Sequence, residues 1–395
     1  MENKQKPVIR FDGFLEDWKY YNFKDKVNMF NNLRVPVTAS ERKKGKVPYY
    51  GANGIQDFVE GFTHQGEFVL IAEDGANNIY NYPVQYVNGD IWVNNHAHVV
   101  RGKINEIDNL FLTFRMKSMN ISSFLVGGGR AKLNAEVLKK IRLVIPKLDE
   151  QIIIGIFFNQ IEKAINLHQQ ELDTLKQTKQ GFLQKMFPKK GETVPEVRFA
   201  EFQGDWIGLS LNEMSSSFEY GLNASAKKYD GQNKYIRITD IDESSHKFST
   251  DTLTSPNTDL TLANNYILNE GDILFARTGA SVGKTYIYNN KDGRVYYAGF
   301  LIRARIKEEF DAEFIFQNTL TTKYKEFIKV TSQRSGQPGV NAQEYSKFTL
   351  LVPDLEEQKK IGEFFKKLDE TIELHEKELA SLKETKKAFL QKMFV

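Results

Sequence analysis

The stretch PKLDEQIIIGIFFNQIEKAINLHQQELDTLKQTKQGFLQKMF, from Pro146 to Phe187, decides the fold, because the chain writes it twice. From Pro353 to Phe394 it reads PDLEEQKKIGEFFKKLDETIELHEKELASLKETKKAFLQKMF, without a gap and at an offset of 207 residues (353 − 146). A repeat of that length is a duplication, and it has to be settled before any element is assigned. Upstream, Arg10-Phe11, Phe14 and Asp17-Trp18 return as Arg198-Phe199, Phe202 and Asp205-Trp206, at an offset of 188 (198 − 10). The chain is therefore one unit written twice: a short lead-in, a variable region and a long conserved segment. The second variable region is longer by 19 residues (207 − 188).

Each conserved segment has the spacing of a coiled-coil helix. Ile154, Phe158, Ile161, Ile165, His168, Leu172, Leu175, Lys179, Phe182 and Met186 alternate at three and four, and so do their counterparts from Ile361 to Met393. Pro146 and Pro353, followed by Glu150 and by Glu356-Glu357, suit helix starts, and Pro188 closes the first helix. About 40 residues at 1.5 Å each predict a rod of roughly 60 Å. The two rods are expected to pair antiparallel, with Ile161, Ile165, His168 and Leu172 in one seam and Leu368, Ile372, His375 and Leu379 in the other. Full register would bring the two mid-helix histidines close together, where a polar pair sets register more readily than it senses pH.

The variable regions predict mostly strand. Phe68 to Ala72 and Ile91 to Val100 read as β in the first, with a helix from about Glu106 to Ser118. In the second, strands are expected near Tyr235 to Ile238, Asp272 to Ala276, Thr285 to Tyr288 and Phe300 to Ile306, and a helix from about Asp311 to Val330. Shared landmarks tie the two together: Gly66-Glu67-Phe68-Val69-Leu70 with Gly271-Asp272-Ile273-Leu274-Phe275, and Gly129 to Ala135 with Gly336 to Ala342. The fold class is α+β: two homologous domains, residues 1–145 and 188–352, separated by two long helices, residues 146–187 and 353–395, in a pseudo-two-fold arrangement.

Composition narrows the function. The chain has 395 residues, a net charge of +3 and no cysteine, which removes disulfides, thiolate metal sites and thiol nucleophiles and suits a reducing cytoplasm. No apolar run approaches a membrane span, and the first residues do not resemble a signal peptide. Basic residues cluster at Arg42-Lys43-Lys44-Gly45-Lys46, at Lys227-Lys228 and from Lys185 to Lys190.

Three stretches imitate catalytic motifs. Gly279 to Thr285 is one residue short of a phosphate loop and runs into a strand pattern, whereas a phosphate loop must feed a helix. Pro353-Asp354 with Glu357-Gln358-Lys359 imitates a nuclease motif, but its acids crowd a helix start and its first copy lacks the lysine. His96 and His98 share one strand face without a clear third ligand, which favours ordinary packing over a metal. No catalytic residue, metal site or bound cofactor is expected.

The duplicated PxLxEQ–IGxFF–TxKxxFLQKMF segments resemble the conserved regions of type I restriction–modification specificity subunits. GDILFARTGASVGKT (Gly271 to Thr285) and SGQPGVNAQEYSKFTLLVP (Ser335 to Pro353) are similar to stretches of their target-recognition domains. The resemblance covers essentially the whole chain in the family's order. It implies a non-catalytic DNA reader, with one domain per half of a split target and a helical ruler between them. It also implies partners: double-stranded DNA, two methyltransferase subunits docked on the conserved helices, and two motor-nuclease subunits. S-adenosylmethionine, ATP and magnesium would be used by those partners and not by this chain. A subunit working in modification alone stays open as a variant of this reading, because the nuclease subunit is encoded elsewhere.

Candidate DNA contacts follow from residue chemistry, with cations for phosphate and amides, guanidinium and hydroxyls for base edges. In the first domain they are Lys43, Lys44, Lys46, Tyr49, Asn53, Arg130 and Lys132; in the second, Lys227, Lys228, Arg277, Thr278, Ser281, Lys284, Arg334, Ser335 and Gln337. Arg277 stands out because it leaves a strand for a glycine-rich turn. The first domain departs here, with Ala72-Glu73-Asp74-Gly75-Ala76 where the second has Ala276-Arg277-Thr278-Gly279-Ala280. Two rivals remain at this stage: a coiled-coil scaffold with no DNA role, and a nucleotide-binding enzyme using the near-miss loop.

Overall fold

The computed structural model describes residues 6–127, 131–333 and 336–395. They form two compact units. The first comprises the chain up to Gln170 together with Glu376–Val395; the second is Glu171–His375. The division falls within both long helices, so each unit holds part of each.

In the first unit the lead-in strand β1 (Lys19–Asn22) is followed by α1 (Phe23–Lys26), β2 (Val27–Met29), β3 (Lys44–Gly51), β4 (Gly54–Val59), β5 (His64–Ala72), β6 (Val84–Val93), β7 (Ala97–Gly102), α2 (Asn109–Ser118), α3 (Ala135–Lys140) and β8 (Arg142–Ile145). The helix α4 (Leu148–Lys185) then begins. Six strands form a sheet in the order β2-β7-β5-β6-β3-β4, while β1 pairs antiparallel with β8. Trp18, Val69, Ile71, Val100, Phe111 and Phe114 fill the core under the sheet.

The second unit repeats the plan through β9 (Ile207–Ser210), α5 (Leu211–Met214) and β10 (Ser215–Tyr220), then adds β11 (Ala226–Lys228), β12 (Lys234–Ile236) and β13 (Thr254–Pro256). It resumes with β14 (Ile273–Ala276), β15 (Thr285–Ile287), β16 (Val295–Tyr297), β17 (Leu301–Ile306), α6 (Ala312–Asn318), α7 (Thr322–Thr331), α8 (Ala342–Ser346), β18 (Thr349–Val352) and α9 (Leu355–Met393). Its main sheet runs β10-β17-β14-β15, the order of β2-β7-β5-β6, and β9 pairs with β18 as β1 does with β8. The units therefore share a four-strand sheet. Both also carry a parallel pairing beside it, β3 on β6 and β12 on β16, and among the described residues the antiparallel β3–β4 pair belongs to the first and the β11–β13 pair to the second.

The repeated motifs are the joints of this plan. Arg10 donates to both Glu150 oxygens at 2.7 Å, and Arg198 does the same to Glu357 at 2.7 Å, with each carboxylate almost wholly buried. Gln151 and Gln358 each donate to the carbonyl of the preceding proline (2.9 and 2.8 Å) and accept from the backbone of Asp108 and Asp311 (3.0 and 3.1 Å). Those two aspartates cap α2 and α6 through Phe111 N and Phe314 N. The glycine of IGxFF lets the helix approach: a Cβ on Gly155 would stand 2.8 Å from Phe111 N, and one on Gly362 would stand 2.3 Å from Asp311 Oδ1. Asp354 accepts from Glu357 N at 2.9 Å, so the nuclease-like stretch is a helix cap.

Within each unit the two helix portions run antiparallel. In the first, Phe157 meets Phe389, Glu162 meets Lys386 and His168 faces Glu378; in the second, Lys179 meets Asp369, Phe182 meets Phe364 and His375 faces Glu171. All the seam positions Ile161, Ile165, His168, Leu172, Leu368, Ile372, His375 and Leu379 are buried or half-buried. The lysines in the seam are satisfied by carboxylates at 2.6 Å.

Two expectations need correction. The strand expected from Ile91 to Val100 is the end of β6 and the start of β7, broken where Asn94 turns the chain by accepting from His96 N at 2.8 Å. The helix expected from Asp311 to Val330 is two. Thr319 and Thr321 return their hydroxyls to the carbonyls of Phe316 and Asn318 (2.6 and 2.7 Å), and such local bonds compete with helix continuation.

Candidate nucleic-acid interface

In the second unit the turn after β14 is built from the strand end outward. Arg277 N donates to Phe300 O (3.1 Å), and Arg277 O accepts from Val340 N (2.9 Å). Gly279, at φ 69°, donates to Pro338 O (3.0 Å), and buried Tyr345 donates to Ala276 O (2.7 Å) while accepting from Gly283 N (3.1 Å). Two sequence-distant loops, 277–284 and 336–340, are thereby held side by side. A Cβ on Gly279 would come within 2.9 Å of the Gln337 amide, so the glycine leaves that side chain its place.

On this platform the Arg277 guanidinium lies 4.9 Å from the Tyr220 ring, whose hydroxyl accepts from Ala342 N at 3.2 Å. Among the described residues Arg277 has no carboxylate partner, unlike Arg10, Arg34, Arg198, Arg237, Arg303 and Arg305. A half-exposed guanidinium held by an aromatic face keeps its donor fork available for a bidentate acceptor. Thr278, Ser281 and Gln337 lie on the same two loops, and Phe300, whose carbonyl accepts from Arg277 N, is exposed. Lys284 reaches Glu243 at 3.5 Å, and the strand Thr285–Ile287 follows, so the phosphate-loop imitation has no helix to offer a phosphate. Lys227 and Lys228 are exposed on β11, apart from these loops in the topology. Arg334 and Ser335 lie outside the described residues.

The first unit makes the same turn with other chemistry. Glu73 N donates to His96 O (2.8 Å), and Leu133 N donates to Glu73 O (2.7 Å). The Glu73 carboxylate accepts from Arg34 at 2.7 Å and faces Lys132 at 2.9 Å. Burial pushes this carboxyl up, but the hydrogen bonds from Arg34 and Lys132 outweigh it and hold it below its ordinary value. His98 is fully buried between Asn31 (2.9 Å) and Leu133 O (2.7 Å), and burial lowers its pKa. His96 pairs with Asp74. Each histidine of the pair thus has its own partners within the fold.

Of the residues expected to touch DNA here, Lys43, Lys44 and Lys46 are exposed at the start of the β3–β4 hairpin. Tyr49 is instead buried: its hydroxyl exchanges hydrogen bonds with the backbone of Val37 (3.0 and 3.2 Å), and Arg42 covers its ring at 4.1 Å. Asn53 clamps the neighbouring loop, donating to Gly75 O (2.8 Å) and accepting from Asn77 N (2.9 Å). Lys132 is engaged by Glu73, and Arg130 lies outside the described residues. Sequence reasoning missed Tyr220, which supports Arg277, and the exposed loop residues Asn77 and Tyr80. No local pattern singles out Tyr220, because its contact depends on a turn 57 positions later (277 − 220).

No helix among the described residues is long and apolar enough to cross a membrane. A sequence model of the type I restriction modification DNA specificity domain matches twice, at residues 15–177 and 214–384. A type I restriction enzyme specificity subunit sequence from Haemophilus influenzae is 48% identical over 140 residues, which is 35% of this chain and 36% of that protein. The MjaVIII specificity subunit of Methanocaldococcus jannaschii is 21% identical across 95% of this chain and 91% of its own. The crystal structure of the type I system S subunit from M. genitalium has the same fold, with a TM-score of 0.73, 14% identity and 99% of each chain covered.

Proposed function

Because the chain belongs to the type I restriction modification DNA specificity domain family, whose part in such a system is DNA sequence specificity, we propose that it reads a split DNA target, one domain per half-site, and contributes no catalysis of its own. The observation that carries this reading is the repetition of one strand-end turn on one sheet topology, with different side chains in the two copies. A duplicated frame with diverged reading positions suits two unlike half-sites. Helices of 38 and 39 residues suit a fixed spacer between them, because half-site spacing follows protein geometry.

The conserved helices are the proposed seats of two methyltransferase subunits. On α4, Ile152, Ile153 and Ile156 are exposed, whereas the repeat places Lys359, Lys360 and Glu363 there on α9. An exposed aliphatic triplet is a natural contact for a partner that desolvates it. S-adenosylmethionine, ATP and magnesium, with cleavage by motor-nuclease subunits, belong in this reading to the partners, and the complex works in the cytoplasm.

The test is genome-wide mapping of adenine methylation, with and without the gene, in a host that supplies the matching methyltransferase subunit. A gene-dependent motif of two short specified halves around a fixed gap is expected. No new methylation, with both proteins folded and co-expressed, would overturn the reading.

A further inference from the structure

The two domains carry opposite charges at the same point of the same turn. Glu73 and Arg277 each donate to the carbonyl just before the next paired strand (His96 and Phe300), and each accepts from the segment leading into the following short helix (Leu133 and Val340). Left-handed glycines follow two residues later in both, Gly75 at φ 70° and Gly279 at φ 69°. The backbones are equivalent and the side chains are not. Arg277 is held open on Tyr220, while Glu73 is committed to Arg34 and Lys132. A carboxylate accepting charge-assisted bonds from two cations is poorly placed to exchange them for a base edge, and it occupies both cations as well.

What the first domain has in exchange is loop. Its strand-end connection is eleven residues (73–83) against eight (277–284) in the second. The longer loop is pinned: Asn53, on the turn of the β3–β4 hairpin, holds Gly75 and Asn77, and Asn78 Oδ1 accepts from Tyr80 N (2.9 Å) and Asn81 N (2.8 Å). Asn77 is exposed, and its own side-chain amide has no hydrogen bond among the described residues. Tyr80 is 85% exposed. A pinned loop presents such side chains at small entropic cost on contact.

We propose that the first domain reads its half-site through loop 73–83, with the Asn77 amide bonding an adenine edge and Tyr80 packing beside it, while the strand-end position reads only in the second domain, where Arg277 takes guanine. Asn matches the donor–acceptor pair of adenine and Arg the two acceptors of guanine in the major groove. This inference rests on the chain being a split-target DNA reader.

The full chain, complexed with its co-expressed methyltransferase subunit, would be used to select from a randomised duplex pool. Wild type is expected to enrich two specified halves. Asn77→Ala with Tyr80→Ala should relax one half by roughly tenfold at an adenine position, and Arg277→Ala should relax the other half at a guanine. Both positions are on the surface, and an unchanged melting temperature would exclude unfolding. If the loop variant keeps both halves intact, or relaxes the half that Arg277→Ala relaxes, the inference is overturned while the split-target reading stands. If wild type enriches no sequence, the underlying reading fails and this inference with it.

Discussion

Arg198→Ala isolates the joint between lead-in and helix. The guanidinium makes two charge-assisted bonds of 2.7 Å to Glu357, whose side chain is 0% exposed, and two more to the carbonyls of Gly204 and Gln203. Those carbonyls can hydrate, so the loss falls on the stranded carboxylate. Removing one member of a buried ion pair costs about 3–5 kcal/mol. Arg10→Ala should cost less, towards about 3 kcal/mol, because Trp18 Nε1 still donates to Glu150 at 3.4 Å. The equivalent Trp206 Nε1 is buried with no such bond. Urea denaturation followed by tryptophan emission measures both variants, and Arg198→Ala with Glu357→Gln should recover part of the loss by removing the stranded charge. A loss below about 1 kcal/mol for Arg198→Ala, or a double variant no better than the single, would refute the argument that a buried charge holds this joint.

Gly362→Ala should destabilise by about 1–3 kcal/mol in thermal unfolding, even though alanine favours helix, because the new methyl meets the Asp311 cap. Glu313 is pushed up to about 7, chiefly by desolvation and further by Asp369, so the folded state binds more protons than the unfolded one between its ordinary value and 7. Stability from this group is therefore lost as pH rises through that window, and Glu313→Gln should gain on wild type there in pH-dependent urea melts. Ile153→Glu should weaken methyltransferase co-purification without shifting the melting temperature, whereas Lys360→Ala on the equivalent surface should have a smaller effect on capture.

The sequence by itself determined the duplication, the long seamed helices and the α+β class. These rest on local periodicity and on repeats that need no contacts to be seen. It also marked Arg277, because a strand running into glycines is a local pattern. Tertiary structure decided what those residues can reach. Tyr49 and Asn53 have the same polar chemistry as residues that touch ligands, yet one is sealed against Val37 and the other pins a loop 22 residues away (75 − 53). The charge of Glu73 is visible in the sequence, but its neutralisation by Arg34 and Lys132 is not, since those partners come from 39 and 59 positions away (73 − 34 and 132 − 73). Residue type says which hydrogen bonds a side chain can make; only the fold says which of them are already made.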